Sequence, residues 1–130
     1  AAAKVSQTEA AIGYTFNNKM LCVEALKMSG SATPLYCNGS VWPVANNNRL
    51  ALLGDRALGM VICEIWFMTG NSTRDYSVAE RNIVSRASLA RSGCALGIQD
   101  KILFAASLSA ATPDMIAETF EAIIGAVYAD

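Results

Sequence analysis

Asn48-Arg49-Leu50-Ala51-Leu52-Leu53-Gly54-Asp55-Arg56-Ala57-Leu58-Gly59 opens the most apolar stretch of this 130-residue chain. Through residue 68, apolar residues recur at helical spacing: Leu50, Leu53, Ala57, Met60, Val61, Ile65 and Met68. This wide apolar face predicts a helix over residues 48–68 that ends at Thr69-Gly70-Asn71. Because Asp55, Arg56 and Glu64 interrupt it, the stretch is not a membrane span, and we expect a buried core helix.

The sequence on both sides of this helix is also helical in pattern. Apolar spacing and capping residues predict further helices over residues 5–12, 19–28, 72–84, 85–96 and 112–128. The last of these has the clearest start, with Thr112 as N-cap and Pro113 in the first turn. Residues 30–47 predict a long loop, and residues 102–110 are ambiguous. No segment alternates as a strand does, so we expect a single all-α domain over residues 1–130.

Composition limits the chemistry that is available. Hydrophobic residues make up 53% and charged residues 16%, against about 25% charged in an average domain, which indicates a folded chain. The net charge of −1 disfavours a strongly basic nucleic-acid binder. Histidine is absent, which excludes Ser-His-Asp and Cys-His catalysis and His-based zinc sites. Catalysis would therefore need carboxylates, Lys, Tyr, Ser, Cys or a bound ion.

The cysteines and the first residues bear on the cellular compartment. Cys22, Cys37, Cys63 and Cys94 form no C-x-x-C pair, and an even count allows two disulfides in three pairings. Four buried free thiols are the alternative. The sequence begins Ala-Ala-Ala-Lys without Met, as after cleavage of a leader at small residues. We expect a secreted protein with disulfides, and an intracellular protein is the alternative.

Acidic residues stand inside otherwise apolar helical runs. Glu118 and Glu121 lie at i and i+3 on one face, and Asn48, Ala51 and Asp55 share a face of the long helix. A desolvated carboxylate needs a partner. One partner would be an arginine in a structural ion network, from Arg49, Arg56, Arg81, Arg86 or Arg91. The other would be a divalent cation held by three or more oxygens, although spacing alone favours the ion network.

Five stretches in sequence order resemble ribonuclease III domains. The opening stretch resembles the family's signature helix, N-E-R-L-E-F-L-G-D-A-V-L-G. Residues 12–16 (IGYTF) are similar to L-G-Y-x-F, residues 25–29 (ALKMS) to A-L-T-H-x-S, and residues 84–90 (VSRASLA) to V-S-N-x-x-L-A. Residues 117–130 (AETFEAIIGAVYAD) follow A-D-x-F-E-A-L-I-G-A-I-Y-x-D almost position by position. The resemblance therefore covers nearly the whole chain.

The resemblance implies an all-helical endonuclease domain that forms a homodimer through the signature helix and hydrolyses double-stranded RNA. Four acidic positions of the family hold magnesium. Carried over, they place Asp55, Glu118 and Glu121 as catalytic and metal-binding residues for Mg²⁺ or Mn²⁺, with Asn48 as a further oxygen ligand. Leu52 stands where the family has a dimer-interface Phe, and ordinary monomer core is the alternative role for this side chain.

Departures from the family pattern fall on the same site. Ala51 stands at the first signature acid, Asn48 replaces a Glu, and Glu118 replaces an Asp. Metal-assisted hydrolysis uses the cation to generate hydroxide and to neutralise charge, so a lost ligand is costly. Since the sequence ends at Asp130, we expect no double-stranded RNA-binding domain to follow. A basic stripe would then have to come from Arg74, Arg81, Arg86, Arg91 and Lys101.

These departures lead us to expect that hydrolysis of double-stranded RNA is weakened or lost. Two alternatives stay open. The chain could be a catalytically inactive structural, storage or interaction protein of the same fold, or a module that binds duplex RNA without cleaving it. The sequence identifies no protein partner and no membrane contact.

Overall fold

Six α-helices build the described part of the chain. The computed structural model describes residues 2–28, 35–37, 40–42, 45–104 and 110–130, with the backbone alone at 35–37 and 40–42. The helices are α1 (Ala2–Ile12), α2 (Lys19–Leu26), α3 (Asn48–Thr69), α4 (Thr73–Val84), α5 (Arg86–Ala95) and α6 (Pro113–Ala129). A short 3-10 helix covers Ile98–Asp100. The predicted all-α class is confirmed, and the predicted helices are each present.

The helix starts follow their capping residues. Thr112 accepts a hydrogen bond from the backbone N–H of Met115 at 3.2 Å, and Ser72 and Ser85 do the same for α4 and α5. α3 ends at Gly70, whose φ of 74° is a left-handed conformation that glycine adopts without strain. Capping is local chemistry, which is why these boundaries were predictable from the sequence.

A β-hairpin lies inside the region predicted as a long loop. Strands β1 (Leu35–Cys37) and β2 (Ser40–Trp42) pair antiparallel. Three-residue strands are too short to show alternation, so the pattern could not predict them. The remainder of that prediction at 30–34, 38–39 and 43–44, and residues 105–109 of the ambiguous segment, lie outside the described residues.

Helix α6 is the centre of the fold and packs against α2, α3 and α5. It crosses α3 at two glycines. A Cβ on Gly54 would lie 1.8 Å from the carbonyl oxygen of Glu121, and a Cβ on Gly125 would lie 2.0 Å from that of Leu50. The two backbones are therefore in direct contact, which only glycine at both positions allows. This contact brings Asp55 of α3 beside Glu121 of α6.

The prediction of a buried core helix is wrong for much of the second half of α3. Leu50, Ala51 and Ile62 are buried, whereas Met60, Val61, Ile65 and Met68 are exposed. α3 has 22 residues and so extends for about 33 Å, while α6 crosses it at Gly54, near its start. Among the other described helices, α4 and α2 also contact α3, but far less extensively than α6 does. No described helix is long and apolar enough to cross a membrane.

Asn47 joins the start of α3 to its two neighbours. Its buried side-chain amide donates to the carbonyl oxygen of Ala25 at 3.0 Å and to Oγ1 of Thr119 at 3.2 Å. Its backbone N–H donates to the carbonyl oxygen of Lys27 at 2.8 Å. These bonds fix where α3 begins relative to α2 and α6. Asn47 was not singled out from the sequence, because nothing local distinguishes it from Asn46 and Asn48.

The expected disulfides find no support in the described residues. Cys22, Cys63 and Cys94 are free, and the side chain of Cys37 lies outside the description. The three thiols sit in different settings, since Cys22 is buried, Cys63 is partly exposed and Cys94 is exposed. Burial raises the pKa of Cys22 to about 12, which keeps this thiol protonated and unreactive.

Asp130 fastens the end of α6 to the turn between α1 and α2. Its carboxylate accepts hydrogen bonds from the backbone N–H groups of Asn17 and Asn18, both at 2.9 Å, and from the hydroxyl of Tyr14 at 2.8 Å. The two backbone donors, followed by Tyr14, lower the pKa of Asp130 below its usual range. The charged form is therefore the one that stabilises this junction.

Asp130→Asn is expected to lower the Tm at pH 7, because an amide offers one acceptor oxygen where the carboxylate offers two. A group whose pKa is depressed by folding contributes stability above its unfolded value of about 4 and loses it as the pH falls through the folded value. The difference in Tm between the two proteins should therefore narrow below about pH 4. Circular dichroism melts from pH 7 to pH 3 measure it, with the exposed Asp100→Asn as control. An equal difference in Tm at pH 7 and at pH 3 would contradict this role of the Asp130 carboxylate.

Candidate functional site

One pocket between α3, α5 and α6 brings the predicted site residues together. We call this cavity of about 330 Å³ the carboxylate pocket. It is lined by Asn48, Ala51, Leu52, Asp55, Val84, Arg86, Leu89, Glu118 and Glu121. Every residue predicted as catalytic, metal-binding or interfacial lies on its wall. The convergence of acids from two separate helices is therefore observed, while their chemical roles stay predictions.

Backbone geometry explains the convergence. Glu118 and Glu121 are one turn apart on α6 and point to the same side. Asp55 directly follows Gly54, where α3 touches α6. Val84 and Leu89, which were not predicted, close the pocket from the ends of α4 and α5. Their only sequence signal was their place in the V-S-x-x-x-L-A stretch.

Arginines accompany each acid of the pocket. The guanidinium of Arg86 lies 3.0 Å from Oε2 of Glu118 and 3.7 Å from Oε1 of Glu121. Arg56 lies 3.0 Å from Oδ2 of Asp55, although Arg56 is largely exposed and this pair is weak. Of the two partners considered for these acids, the structure contains the ion network. The sequence could name the five candidate arginines but not select Arg86.

Glu121 is the most buried acid of the pocket, with its side chain 9% exposed. The pKa of Glu121 is raised to about 7, chiefly by burial and then by the hydrogen-bonding Asp55 carboxyl, while Arg86 acts in the opposite direction. Three carboxylates cannot all stay ionised in so small a space without a cation nearby. Arg86 supplies such positive charge and favours the ionised form of Glu121, against the effects of burial and Asp55.

The side chains do not fit a divalent cation as they stand. Ala51 offers no oxygen, and the two acids of α6 are ion-paired to one guanidinium. In the part of the chain that the structure describes, no group of three or more acidic or cysteine side chains is arranged to hold a metal ion. Asn48 also lines the pocket and offers an amide oxygen, but the two acids of α6 that Mg²⁺ would need are paired with the guanidinium of Arg86.

Leu52 is exposed at the rim of the carboxylate pocket. Its side chain is 60% exposed, so the alternative that Leu52 belongs to the monomer core is wrong. This exposed apolar side chain beside a polar pocket can pack against a partner. Its role at a dimer interface stays a prediction.

Comparison with proteins of known structure places the fold among helical nuclease domains. The nuclease domain of ribonuclease III from Campylobacter jejuni superposes with a TM-score of 0.81 at 26% identity, covering 96% of this chain and 85% of that one. A second structure of the same domain gives a TM-score of 0.79 at 26% identity, with 95% and 82% covered. The structure with the TM-score of 0.81 is described as showing structural flexibility in a region involved in dimer formation.

Sequence comparison gives the family. A family described as Ribonuclease-III-like matches residues 36–130. Ribonuclease 3 of Rhodopirellula baltica is 28% identical over 138 residues, covering 100% of this chain and 48% of that protein. Ribonuclease 3 of a Sulfurovum species is 32% identical over 135 residues, with 95% and 53% covered. The chain belongs to the ribonuclease-III-like family, and it spans about half the length of the curated relatives it matches.

Proposed function

We propose that this chain is a ribonuclease III-like domain that pairs with a second copy of itself and engages double-stranded RNA at the carboxylate pocket, with metal-dependent hydrolysis weakened or lost. The observation that carries the proposal is the pocket itself. Asp55, Glu118 and Glu121 converge there from two helices, as a nuclease centre needs, and Ala51 leaves the fourth position without a carboxylate.

Exposed cations on α4 and α5 support an RNA contact. Arg74 and Arg81 are exposed and lie two turns apart on one face of α4, and Arg91 is exposed on α5. These two helices meet at the pocket wall. Duplex RNA is held mainly through phosphates and 2′-hydroxyls, for which arginine is well suited. Because the net charge is −1, we infer that any RNA contact is local and sensitive to salt.

An apolar surface supports pairing with a second copy. The α3 apolar face consists of exposed Leu52, Met60, Val61, Ile65, Phe67 and Met68. Beside it, α3 and α6 form an apolar groove of about 690 Å³ whose lining includes Leu53, Val61, Ile124 and Val127. Exposed Glu64 lies among these side chains and, with Arg56, also lines the groove. A cluster of exposed apolar side chains beside such a groove is typical of an association site, and a two-fold pair would let each copy cover the other.

A cleavage assay tests the proposed activity. Incubated with long duplex RNA and Mg²⁺ or Mn²⁺, the native chain is expected to cleave at least about 100-fold more slowly than a ribonuclease III domain that keeps all four acids, because a misplaced or missing ligand costs that much. Any remaining cleavage should vanish in Glu121→Gln and persist in Asp114→Asn, which removes an exposed acid from the start of the same helix. A rate equal to that of the four-acid domain would contradict the proposal.

The same assay separates the alternatives. Duplex binding that weakens with salt, without cleavage in any variant, would favour a binding module. Absence of both binding and cleavage would favour an inactive structural or interaction protein of this fold.

A further inference from the structure

Arg86 holds two acids of the carboxylate pocket at once. It is the first residue of α5, directly after the Ser85 cap, and its guanidinium reaches Glu118 and Glu121 on α6. A planar guanidinium has five donors in a fixed fork, so it can bridge two carboxylates that lie one helical turn apart. One side chain of α5, itself 56% exposed, therefore pairs with both acids that α6 contributes and offsets one of their two charges.

A cation at this place is unfavourable for α5 itself. The N-terminus of a helix carries partial positive charge, and a positively charged side chain there is repelled by it. The carboxylates of α6 offset this repulsion, because they lie against the same helix end. The position of Arg86 is therefore understandable only together with Glu118 and Glu121.

Position 51 of α3 carries no charge that could interact with the guanidinium of Arg86, because it is an alanine. The Ala51 side chain lines the pocket as a methyl group and neither binds nor repels the guanidinium. On the family pattern, an acid stands at this position and a neutral Asn at position 86. In this chain the pocket has two carboxylates fewer, at positions 48 and 51, and one guanidinium more than that pattern, and both kinds of change lower the negative charge that a metal ion would offset.

We propose that Arg86 is the resident cation of the carboxylate pocket, so that its guanidinium takes the place of a divalent ion between Glu118 and Glu121 and ties α5 to α6. This role of Arg86 rests on the proposed function and deepens it, because it gives a reason why metal-dependent hydrolysis is weakened or lost. A carboxylate at position 51 alone therefore does not create a metal site while Arg86 is present.

Four proteins test this with Mn²⁺ alone, in the absence of RNA: the native chain, Ala51→Glu, Arg86→Asn and the double variant. Isothermal titration calorimetry and thermal melts with and without Mn²⁺ are the measurements. We expect the native chain and Ala51→Glu to show no binding at millimolar Mn²⁺ and no change in Tm. The double variant should bind at least about 10-fold more tightly than the native chain, because a unit of opposing charge is removed and a ligand added.

Stability in the absence of metal provides the second readout. Arg86→Asn should lower the Tm, since it leaves three acids facing one another, and Mn²⁺ should restore part of the loss in the double variant. Arg91→Asn, on the same helix and exposed, is the matched control and should change neither quantity. If Arg86→Asn does not fold, Arg86→Lys keeps one charge without the fork, and it should lower the Tm while still excluding Mn²⁺.

Mn²⁺ binding by the native chain as tight as that of the double variant would overturn the proposal. So would an unchanged Tm in Arg86→Asn, or an equal effect of Arg91→Asn. Because these measurements contain no RNA, they are independent of the cleavage assay. Failure of every variant to bind or cleave duplex RNA would refute the proposed function and leave the assignment of Arg86 standing on its own data.

Discussion

Gly54→Ala is expected to destabilise the protein by about 3 kcal/mol or more, at or above the upper end of the cost of overpacking a core. The added methyl would lie 1.8 Å from the carbonyl oxygen of Glu121, and backbone atoms on both sides cannot move without separating α3 from α6. A Cβ at position 125 would lie 2.0 Å from the carbonyl oxygen of Leu50, so Gly125→Ala should destabilise the protein by a similar amount. A drop in Tm of roughly 10 °C or more corresponds to this loss.

Gly59→Ala is the matched control on the same helix. A Cβ at Gly59 meets nothing within 4 Å, so alanine there should be neutral or stabilise by up to about 1 kcal/mol, through its higher helix propensity. Chemical denaturation of the three variants gives the free energies of unfolding. Equal losses at Gly54 and Gly59 would show that the α3–α6 contact is not what the glycine provides.

Val61→Glu is expected to convert the proposed homodimer into a monomer. Val61 belongs to the α3 apolar face and also lines the apolar groove, so pairing would desolvate a carboxylate in each copy. Burial of an unpaired charge costs several kcal/mol, and a loss of about 3 kcal/mol raises the dissociation constant more than about 100-fold. Sedimentation velocity over a concentration series measures the change.

Met20→Glu serves as the control for this experiment. Met20 is an exposed apolar residue on α2, away from the α3 apolar face, and its replacement should leave the oligomeric state unchanged. Circular dichroism confirms that each variant is folded. A native chain that remains monomeric at tens of micromolar, or a Val61→Glu protein that still dimerises, would refute pairing through this surface.

Local patterns in the sequence were enough for most of the helical framework. The hydroxyl cap at Thr112 predicted where α6 begins, and the hydroxyls at Ser72 and Thr73 did so for α4, because a side-chain oxygen bonds an N–H two or three residues later, whatever the rest of the chain does. The spacing of Glu118 and Glu121 predicted that both face one side of α6. The resemblance to ribonuclease III domains then related Asp55 to this pair, and the pocket contains all three.

Local sequence patterns could not predict features that depend on contacts between several helices. The apolar face of α3 has the same periodicity along its whole length, yet α6 covers only its first part, so the exposure of Met60, Val61 and Ile65 followed from helix lengths and the crossing point. Five arginines were equal candidates for the acids. Arg86 was selected because the start of α5 lies against the middle of α6.

The amino-acid sequence by itself determined the helices, their caps and the acids that share a helical face, since these depend on residues within one or two turns of each other. The tertiary structure decided which charges meet, which half of α3 is left uncovered, and that a guanidinium lies among the carboxylates. Those properties arise from the direct backbone contact of Gly54 and Gly125, which sets the distance and angle between helices far apart in the chain.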